Sequence, residues 1–289
     1  MKIKDRFRVA FNAFINPKKR VKQVIKLKEK EPSKVYDNQL LADKNILITG
    51  AGKNIGKSIA IEMGKQGGNI YFMDKDKERC QQLELELENY SVKYKGFVFD
   101  INNTQKIDSL ISFFQENNIN IDILVNNVGI NNDKKGIKQI DLQDWEKIFN
   151  TNVFKPIYLT QKIVEMMINN QQGGAIIFIT SIHQAVIFRK LIYSASKAAL
   201  AMIIKELAMD LAPYNIRVNG IAPGWVVEDK EKNLYYHQYT HLHQSSINPC
   251  YIGRSAVYLA SDYFSHFTTG AVITIDGGLS LYNYLVNPS

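Results

Sequence analysis

Two cysteines, Cys80 and Cys250, far apart and with no CxxC pair, give no disulfide framework. A reducing compartment, hence the cytoplasm, is the expectation. Long apolar runs are missing too. No stretch reaches the roughly 18 apolar residues that a bilayer-spanning helix needs. The basic N-terminus has only a short apolar part, broken by Asn12, and no small-residue cleavage site follows it. No long-period repeat or low-complexity linker is found, so the chain carries no signature of a repeat array. Net charge is scarce outside one region. Of 36 Lys/Arg and 28 Asp/Glu, 13 and 5 lie in the first 44 residues, leaving 23 of each for the rest. The formal charge of +8 therefore belongs to an N-terminal arm. A neutral remainder gives no electrostatic footprint for nucleic acid.

What is present is ordinary for a globular protein: 289 residues, 45% hydrophobic and 22% charged. That length buries a full core in one large α/β domain. From Asn45 onward, strand-like and helix-like segments alternate. Strands are expected at 45–49, 69–73, 94–99, 121–125, 175–180, 216–221 and 271–275. Helices are expected at 54–67, 77–88, 141–169, 193–211 and 249–261. The strands are continuously apolar, as they are when helices cover both faces of a parallel sheet. Repeated βα units imply right-handed crossovers and an α/β, Rossmann-like, doubly wound parallel sheet in a single domain. Ligands of such sheets sit beyond the strand carboxyl ends. Gly50, Asp74, Asp100, Asn126, Ser181 and Pro223-Gly224 all fall there.

The first strand runs into Thr49-Gly50-Ala51-Gly52-Lys53-Asn54-Ile55-Gly56. Glycines let backbone approach a pyrophosphate, and a helix N-terminus offers free N–H groups and partial positive charge. The bland alternative is a Gly-rich turn with no ligand. Asn54 is a residue that tolerates left-handed backbone angles. Asp74 lies 24 residues after Gly50, at the second strand's end. A carboxylate there accepts hydrogen bonds from ribose hydroxyls and repels a 2′-phosphate, favouring NAD over NADP. Lys53 and Lys75 pull the other way.

Tyr193-Ser194-Ala195-Ser196-Lys197 opens a helix. Spacing of i, i+4 puts Tyr193 and Lys197 on one face. A nearby ammonium stabilises phenolate and lowers the phenol pKa, so Tyr193 is a candidate for passing a proton to or from an alcohol oxygen. A plain surface pair is the alternative. Ser181, 12 residues earlier, is placed to hold the substrate oxygen. Asn152 is a candidate for holding a water that links Lys197 to solvent, or is an ordinary helix residue.

These motifs resemble the short-chain dehydrogenase/reductase family, in its shorter branch. The glycine loop resembles TGxxxGxG, with Asn54 for its middle Gly. Asn126-Asn127-Val128-Gly129 resembles NNAG, and Asp144-Trp145 to Asn152 the helix carrying the catalytic Asn. Residues 216–224 resemble IRVNxIxPG. Leu259-Ala260-Ser261-Asp262 and Thr269-Gly270 to Asp276-Gly277-Gly278 resemble the C-terminal signature. The resemblance implies hydride transfer between NAD(H) and a carbonyl or secondary alcohol. It makes Tyr193 the general acid/base, Ser181 the carbonyl-orienting group and Lys197 the nicotinamide-ribose anchor. Asn152 completes a proton relay. It implies that Asp100 and Ile101 flank the adenine, that Asn126 and Gly129 line the cofactor cleft, and that Pro223, Gly224 and Val226 border it. Gly50, Lys53, Asn54, Ile55, Gly56, Asp74, Tyr193 and Lys197 complete the expected cofactor set. Homodimers or homotetramers built on the long helices at 144–169 and 193–211 are also implied.

Two further departures stand out. The Ser181–Tyr193 spacing is one residue shorter than the commonest one, which keeps Thr180 open for the Ser role. Glu228 stands where Thr is usual.

The expected organisation is an arm at 1–43 and a catalytic domain at 44–289, with a substrate lid at 225–247. The lid carries Tyr235, Tyr236, His237, Tyr239, His241 and His243. Its histidines have helical spacing, but no Cys or carboxylate cluster joins them, so no metal is expected. His183 is a candidate for the pocket wall. In the arm, Ile3, Phe7, Ala10, Phe11 and Phe14 share a helical face surrounded by Lys and Arg. This suits an anionic membrane surface touched through residues 1–28, or a partner subunit. The substrate is a small carbonyl or alcohol whose class is not legible. The competing function is a nucleotide-binding scaffold with lost or weak turnover, recruited through the arm. Sugar-nucleotide epimerisation is disfavoured, because a GxxGxxG loop and a larger C-terminal region are missing.

Overall fold

The computed structural model describes residues 39–131, 136–171, 173–227 and 246–281. Most of the arm at 1–43, and Glu228 with the lid's Tyr and His residues, lie outside the described residues.

The strands are β1 (Asn45–Thr49), β2 (Asn69–Asp74), β3 (Tyr94–Val98), β4 (Ile123–Asn126), β5 (Gly174–Ile179), β6 (Ile216–Pro223) and β7 (Val272–Ile275). They form one sheet in the order β3-β2-β1-β4-β5-β6-β7, and every described pair is parallel. Strand order reverses between β1 and β4, which opens a crevice at their carboxyl ends. The helices are α1 (Asn54–Lys65), α2 (Lys77–Leu87), α3 (Thr104–Glu116), α4 (Leu142–Phe149), α5 (Lys155–Asn170), α6 (Leu191–Leu211), α7 (Pro249–Ala260) and the short α8 (Asp262–Ser265).

Side chains of one strand alternate between two cores. Ile46 and Ile48 of β1 join Ile59 and Met63 of α1, Leu83 of α2 and Ile252 and Ala256 of α7. Leu47 joins Phe114 of α3, Leu159 and Ile163 of α5 and Leu200 and Ile204 of α6 on the other face. Both faces are dry, which is why the strands read as unbroken apolar runs. Phe72, Phe114 and Phe178 are fully buried. Each contributes about 3 kcal/mol of apolar burial, enough to pin its element to the sheet.

Two expectations about helices change. No helix was expected at 104–116, yet α3 forms there. Its Ile107, Leu110, Ile111 and Phe114 bury one face, and Asn103 caps it by accepting from the Lys106 N–H. The single helix expected at 141–169 is instead two helices joined by a π-helical turn at Asn150–Phe154. The extra residue per turn lets α4 and α5 follow one another while rotating Asn152 into the interior, where it is fully buried.

Candidate functional site

An open cleft of about 640 Å³ lies at the carboxyl ends of the strands. Gly50, Lys53, Asn54, Ile55, Gly56, Asp74, Asp100, Ile101, Gly129, Ser181, Tyr193, Lys197, Pro223, Gly224 and Val226 line it. Thus residues from distant parts of the chain, chosen on sequence grounds, meet in one place. Two expected members do not line it. Asn126 turns its amide toward α5 and donates to Thr160 Oγ1 at 2.8 Å, so the cleft wall falls to its neighbour Asn127. Asn152 sits behind the wall.

At one end the backbone is shaped for a close-fitting anion. Asn54 takes φ 48, the left-handed angle its residue type tolerates. A Cβ on Gly56 would stand 2.2 Å from the Gly50 carbonyl oxygen, so only glycine lets α1 pack this close to the loop. Helices α2, α3, α4 and α7 are each capped by an Asp or Asn side chain. Helix α1 has no side-chain cap and no acidic residue in its first turn. Its free N–H groups and positive dipole end open on the cleft, the arrangement that suits a pyrophosphate.

Asp74 borders this end, 9% exposed. Its Oδ2 accepts from the Gly52 N–H at 2.9 Å and its Oδ1 from the Asp76 N–H at 3.1 Å. The carboxylate is held in place by backbone, with lone pairs left for a ligand's hydroxyls. Arg79 lines the cleft with Lys53 and Lys75 and was missed in the sequence. It is held by Asp76, Nε to Oδ2 3.2 Å. Phe99, Asn102 and Thr151 also line this end without having been singled out.

At the other end, Ser181 closes β5 and Tyr193 and Lys197 rise from the first turns of α6. Tyr193 hydrogen-bonds with Ser181, which favours the phenolate, but burial outweighs this and holds the phenol above its usual pKa. The expected downward pull by Lys197 does not prevail. Lys197 is itself buried, its pKa lowered to about 8 by burial, and its Nζ stands 5.7 Å from the Tyr193 ring centre. That Nζ donates to the Ile179 carbonyl at 2.8 Å. A Cβ on Gly129 would lie 3.2 Å from it, so a glycine makes room for the ammonium. Thr180 donates its hydroxyl to the Ile221 carbonyl at 3.0 Å. Its side chain ties β5 to β6, and Ser181 is the hydroxyl beside Tyr193.

Asn152 is committed on three sides. Its Oδ1 accepts from the Ile130 N–H at 2.8 Å, and its Nδ2 donates to the Ile130 carbonyl at 3.0 Å and to Ser196 Oγ at 3.0 Å. The side chain therefore braces the cleft wall at Ile130, and its Oδ1 shares the space beside Gly129 with Lys197 Nζ: a Cβ built there would stand 3.7 Å from the one and 3.2 Å from the other. Asn127 does the same for the β1 end, its Nδ2 donating to the Thr49 and Gly50 carbonyls at 3.0 and 2.9 Å. Among the described residues no group of three or more His, Cys, Asp or Glu is placed to hold a metal. No described helix is long and apolar enough to cross a membrane.

This geometry matches a known family. The short chain dehydrogenase family model matches residues 44–238. The chain belongs to that family. It is 32% identical over 247 residues to the 3-oxoacyl-(acyl-carrier-protein) reductase FabG of Thermotoga maritima, covering 83% of this chain and 98% of the relative. A solved 7α-hydroxysteroid dehydrogenase, complexed with NADH and 7-oxo glycochenodeoxycholic acid, is similar with TM-score 0.76 and 29% identity, covering 85% of this chain and 97% of that one. The L-sorbose reductase of Gluconobacter frateurii, complexed with NADPH and L-sorbose, is similar with TM-score 0.76 and 25% identity, covering 83% and 97%. This short-chain dehydrogenase/reductase is an oxidoreductase that moves hydride between a nicotinamide dinucleotide and a carbonyl or alcohol carbon. A scaffold without turnover is not the favoured reading.

Proposed function

We propose that the enzyme interconverts a small carbonyl compound and its secondary alcohol with NAD(H), using Tyr193 as general acid/base. The observation that carries this is the meeting of Ser181, Tyr193 and Lys197 in the cleft that the α1 N-terminus opens on. When bound, the dinucleotide supplies or takes up the hydride. The uncapped α1 terminus and the glycine loop would hold its pyrophosphate, and Asp74 its adenosine ribose. Asp100, Ile101 and Phe99 would border the adenine. Lys197 would hold the nicotinamide ribose, with Gly129, Pro223, Gly224 and Val226 around it.

The proton is handled by this chain's own groups. Ser181 orients the substrate oxygen beside Tyr193, and the Tyr193 hydroxyl gives that oxygen a proton in the reducing direction and takes it back in the other. Burial makes the phenol a weaker acid, and the Ser181 hydrogen bond works against that by favouring the ionised form. Asn152 contributes by fixing Ile130. Asp74 supports preference for NAD(H), because its carboxylate repels a 2′-phosphate. Titration with NADH and NADPH, read by nicotinamide fluorescence, tests that preference. Turnover of Tyr193→Phe with a 3-oxoacyl thioester, a keto-sugar and an oxo-steroid tests the chemistry; wild-type rates in that variant would sink it.

Phe154 beside α5 and Met202 and Met209 on α6 are 56%, 56% and 76% exposed. Apolar side chains on these helices support a homodimer or homotetramer built there, which light scattering tests. The basic arm supports a cytoplasmic enzyme that touches anionic membrane through residues 1–28. Liposome flotation with and without residues 1–40 tests this, and equal partitioning of both forms counts against it.

A further inference from the structure

The connection between Ser181 and Tyr193 folds back on itself. Ser181 caps a short 3₁₀ turn at Ile182–Gln184, its Oγ accepting from the His183 N–H at 3.3 Å. That bond occupies one lone pair of the Ser181 oxygen, whose hydroxyl also hydrogen-bonds with Tyr193. The His183 ring then lies between two others. It meets Tyr193 edge-on, ring centres 5.0 Å apart at 81°, and Phe188 at 4.6 Å and 33°. Its Nδ1 is 3.2 Å from Ser194 Oγ, one residue beyond Tyr193 on α6. Phe188 returns the chain toward the ring, and Arg189 takes φ 54 to enter the helix. His183 is half-buried and is not among the residues that line the cleft.

We propose that His183 is a positioning residue for the Ser181–Tyr193 pair: its N–H orients the Ser181 hydroxyl, and its ring, wedged between Phe188 and Tyr193 and tied to Ser194, fixes the plane of the phenol. The inference rests on the reading of Tyr193 as the proton-transfer group. The ring sits where a plain aromatic would serve as a spacer, but its Nδ1 adds a tether to the helix that carries Tyr193. Two cations face it, Lys190 from the α6 entrance and Lys197 from within α6. Burial first, then these two charges, hold the imidazole below its usual pKa of 6.5, so it stays neutral at pH 7. A neutral ring packs on Tyr193 without adding a third positive charge beside Lys197.

The test reads the ionisation of Tyr193 directly and needs no substrate. Phenolate absorbance is titrated in full-length wild type, His183→Ala and His183→Phe, each with and without Tyr193→Phe, so that each difference isolates one phenol. The wild-type midpoint is expected above 10, the usual phenol value. Emptying the wedge in His183→Ala is expected to bring it down toward 10, and His183→Phe to restore most of the shift. An unchanged midpoint in His183→Ala overturns the proposal. So does a shift that His183→Phe fails to reverse, since the ring's packing would then not be the agent. If the alanine protein does not fold, His183→Val, which shortens the wedge but keeps an apolar side chain in its slot, takes its place; a midpoint equal to wild type overturns the proposal there too. Failure of the Tyr193 reading is a separate result, because it appears as turnover surviving Tyr193→Phe.

Discussion

Lys197 donates its ammonium to the Ile179 carbonyl across 2.8 Å, in a site where burial lowers its pKa from 10.5 to about 8. One carbonyl does not replace the water the ammonium lost, so holding the charge there destabilises the fold. Below pH 8 both folded and unfolded chains carry this proton. Between about 8 and 10.5 the unfolded chain binds more, and this group's contribution to stability rises with pH. Lys197→Met is therefore expected to be more stable than wild type at pH 7, by up to about 3 kcal/mol. The gap should close as pH rises toward 10.5, while turnover is lost. Urea denaturation across pH checks this; a methionine variant less stable than wild type at pH 7 would show the hydrogen bond outweighing desolvation.

Asp74 makes a second prediction about affinity. Its two oxygens organise the Gly52 and Asp76 N–H groups, and its charge faces the cleft. Asp74→Ala is expected to weaken NADH about tenfold, about 1.4 kcal/mol. NADPH should hold or gain, because Arg79, Lys53 and Lys75 then meet its phosphate with only Asp76, the partner of Arg79, left to oppose them. Fluorescence titration of both cofactors reads the ratio. Tighter NADPH binding by the wild type would mean that the three cations outweigh the carboxylate.

How much of this was legible beforehand differs by residue, for physical reasons. The five inner strands were readable because burial on both faces forces unbroken apolar runs; the edge strands β3 and β7 hold no buried residue and were readable from their place in the alternation of strands and helices. Gly50, Asp74, Ser181 and Tyr193 were readable because a doubly wound sheet gathers its strand ends at one crevice. Helix α3 had its signal in the spacing of Ile107, Leu110, Ile111 and Phe114, which went unread. Asn126 was misplaced because a strand end presents neighbouring side chains to opposite sides, and sequence alone does not say which of Asn126 and Asn127 faces the cleft. The π turn at Asn152 leaves no mark in helical periodicity. Arg79 reaches the cleft only because α2 packs against the glycine loop, a tertiary fact.

The bracing role of Asn152 yields a third prediction. Removing its side chain leaves the Ile130 N–H and carbonyl without their partner in a half-buried setting at the cleft wall, each unpaired group costing about 1 kcal/mol, with the emptied space behind the wall adding to this. Asn152→Ala is expected to lose about 2–4 kcal/mol in urea denaturation and to weaken NADH binding as Ile130 shifts. Asn152→Asp keeps the acceptor for the Ile130 N–H but buries a charge, and should do no better. A variant with native stability but impaired turnover would instead place Asn152 in proton transfer.

Arg217 separates hydrogen bonding from ion pairing far from the cleft. The residue is buried on β6. Its Nη1 donates to the Leu259 carbonyl at 2.7 Å and to Ser265 Oγ at 2.9 Å; its Nη2 donates to the Ala260 carbonyl and Asp262 Oδ1, both at 3.0 Å. Two of these acceptors are carbonyls at the C-terminal end of α7, where helical partners run out and the dipole is negative. The Asp262 side chain is 64% exposed, so solvent screens that pair. Arg217→Met should therefore cost about 1–3 kcal/mol, chiefly from the Ala260 carbonyl that loses its donor, since the Leu259 carbonyl keeps the Ser265 hydroxyl at 2.9 Å, and Asp262→Asn less than about 1 kcal/mol. NADH affinity should be unchanged in both, since neither residue lines the cleft. Equal losses in the two variants would mean that the ion pair, and not the carbonyl cap, holds α7 to the sheet.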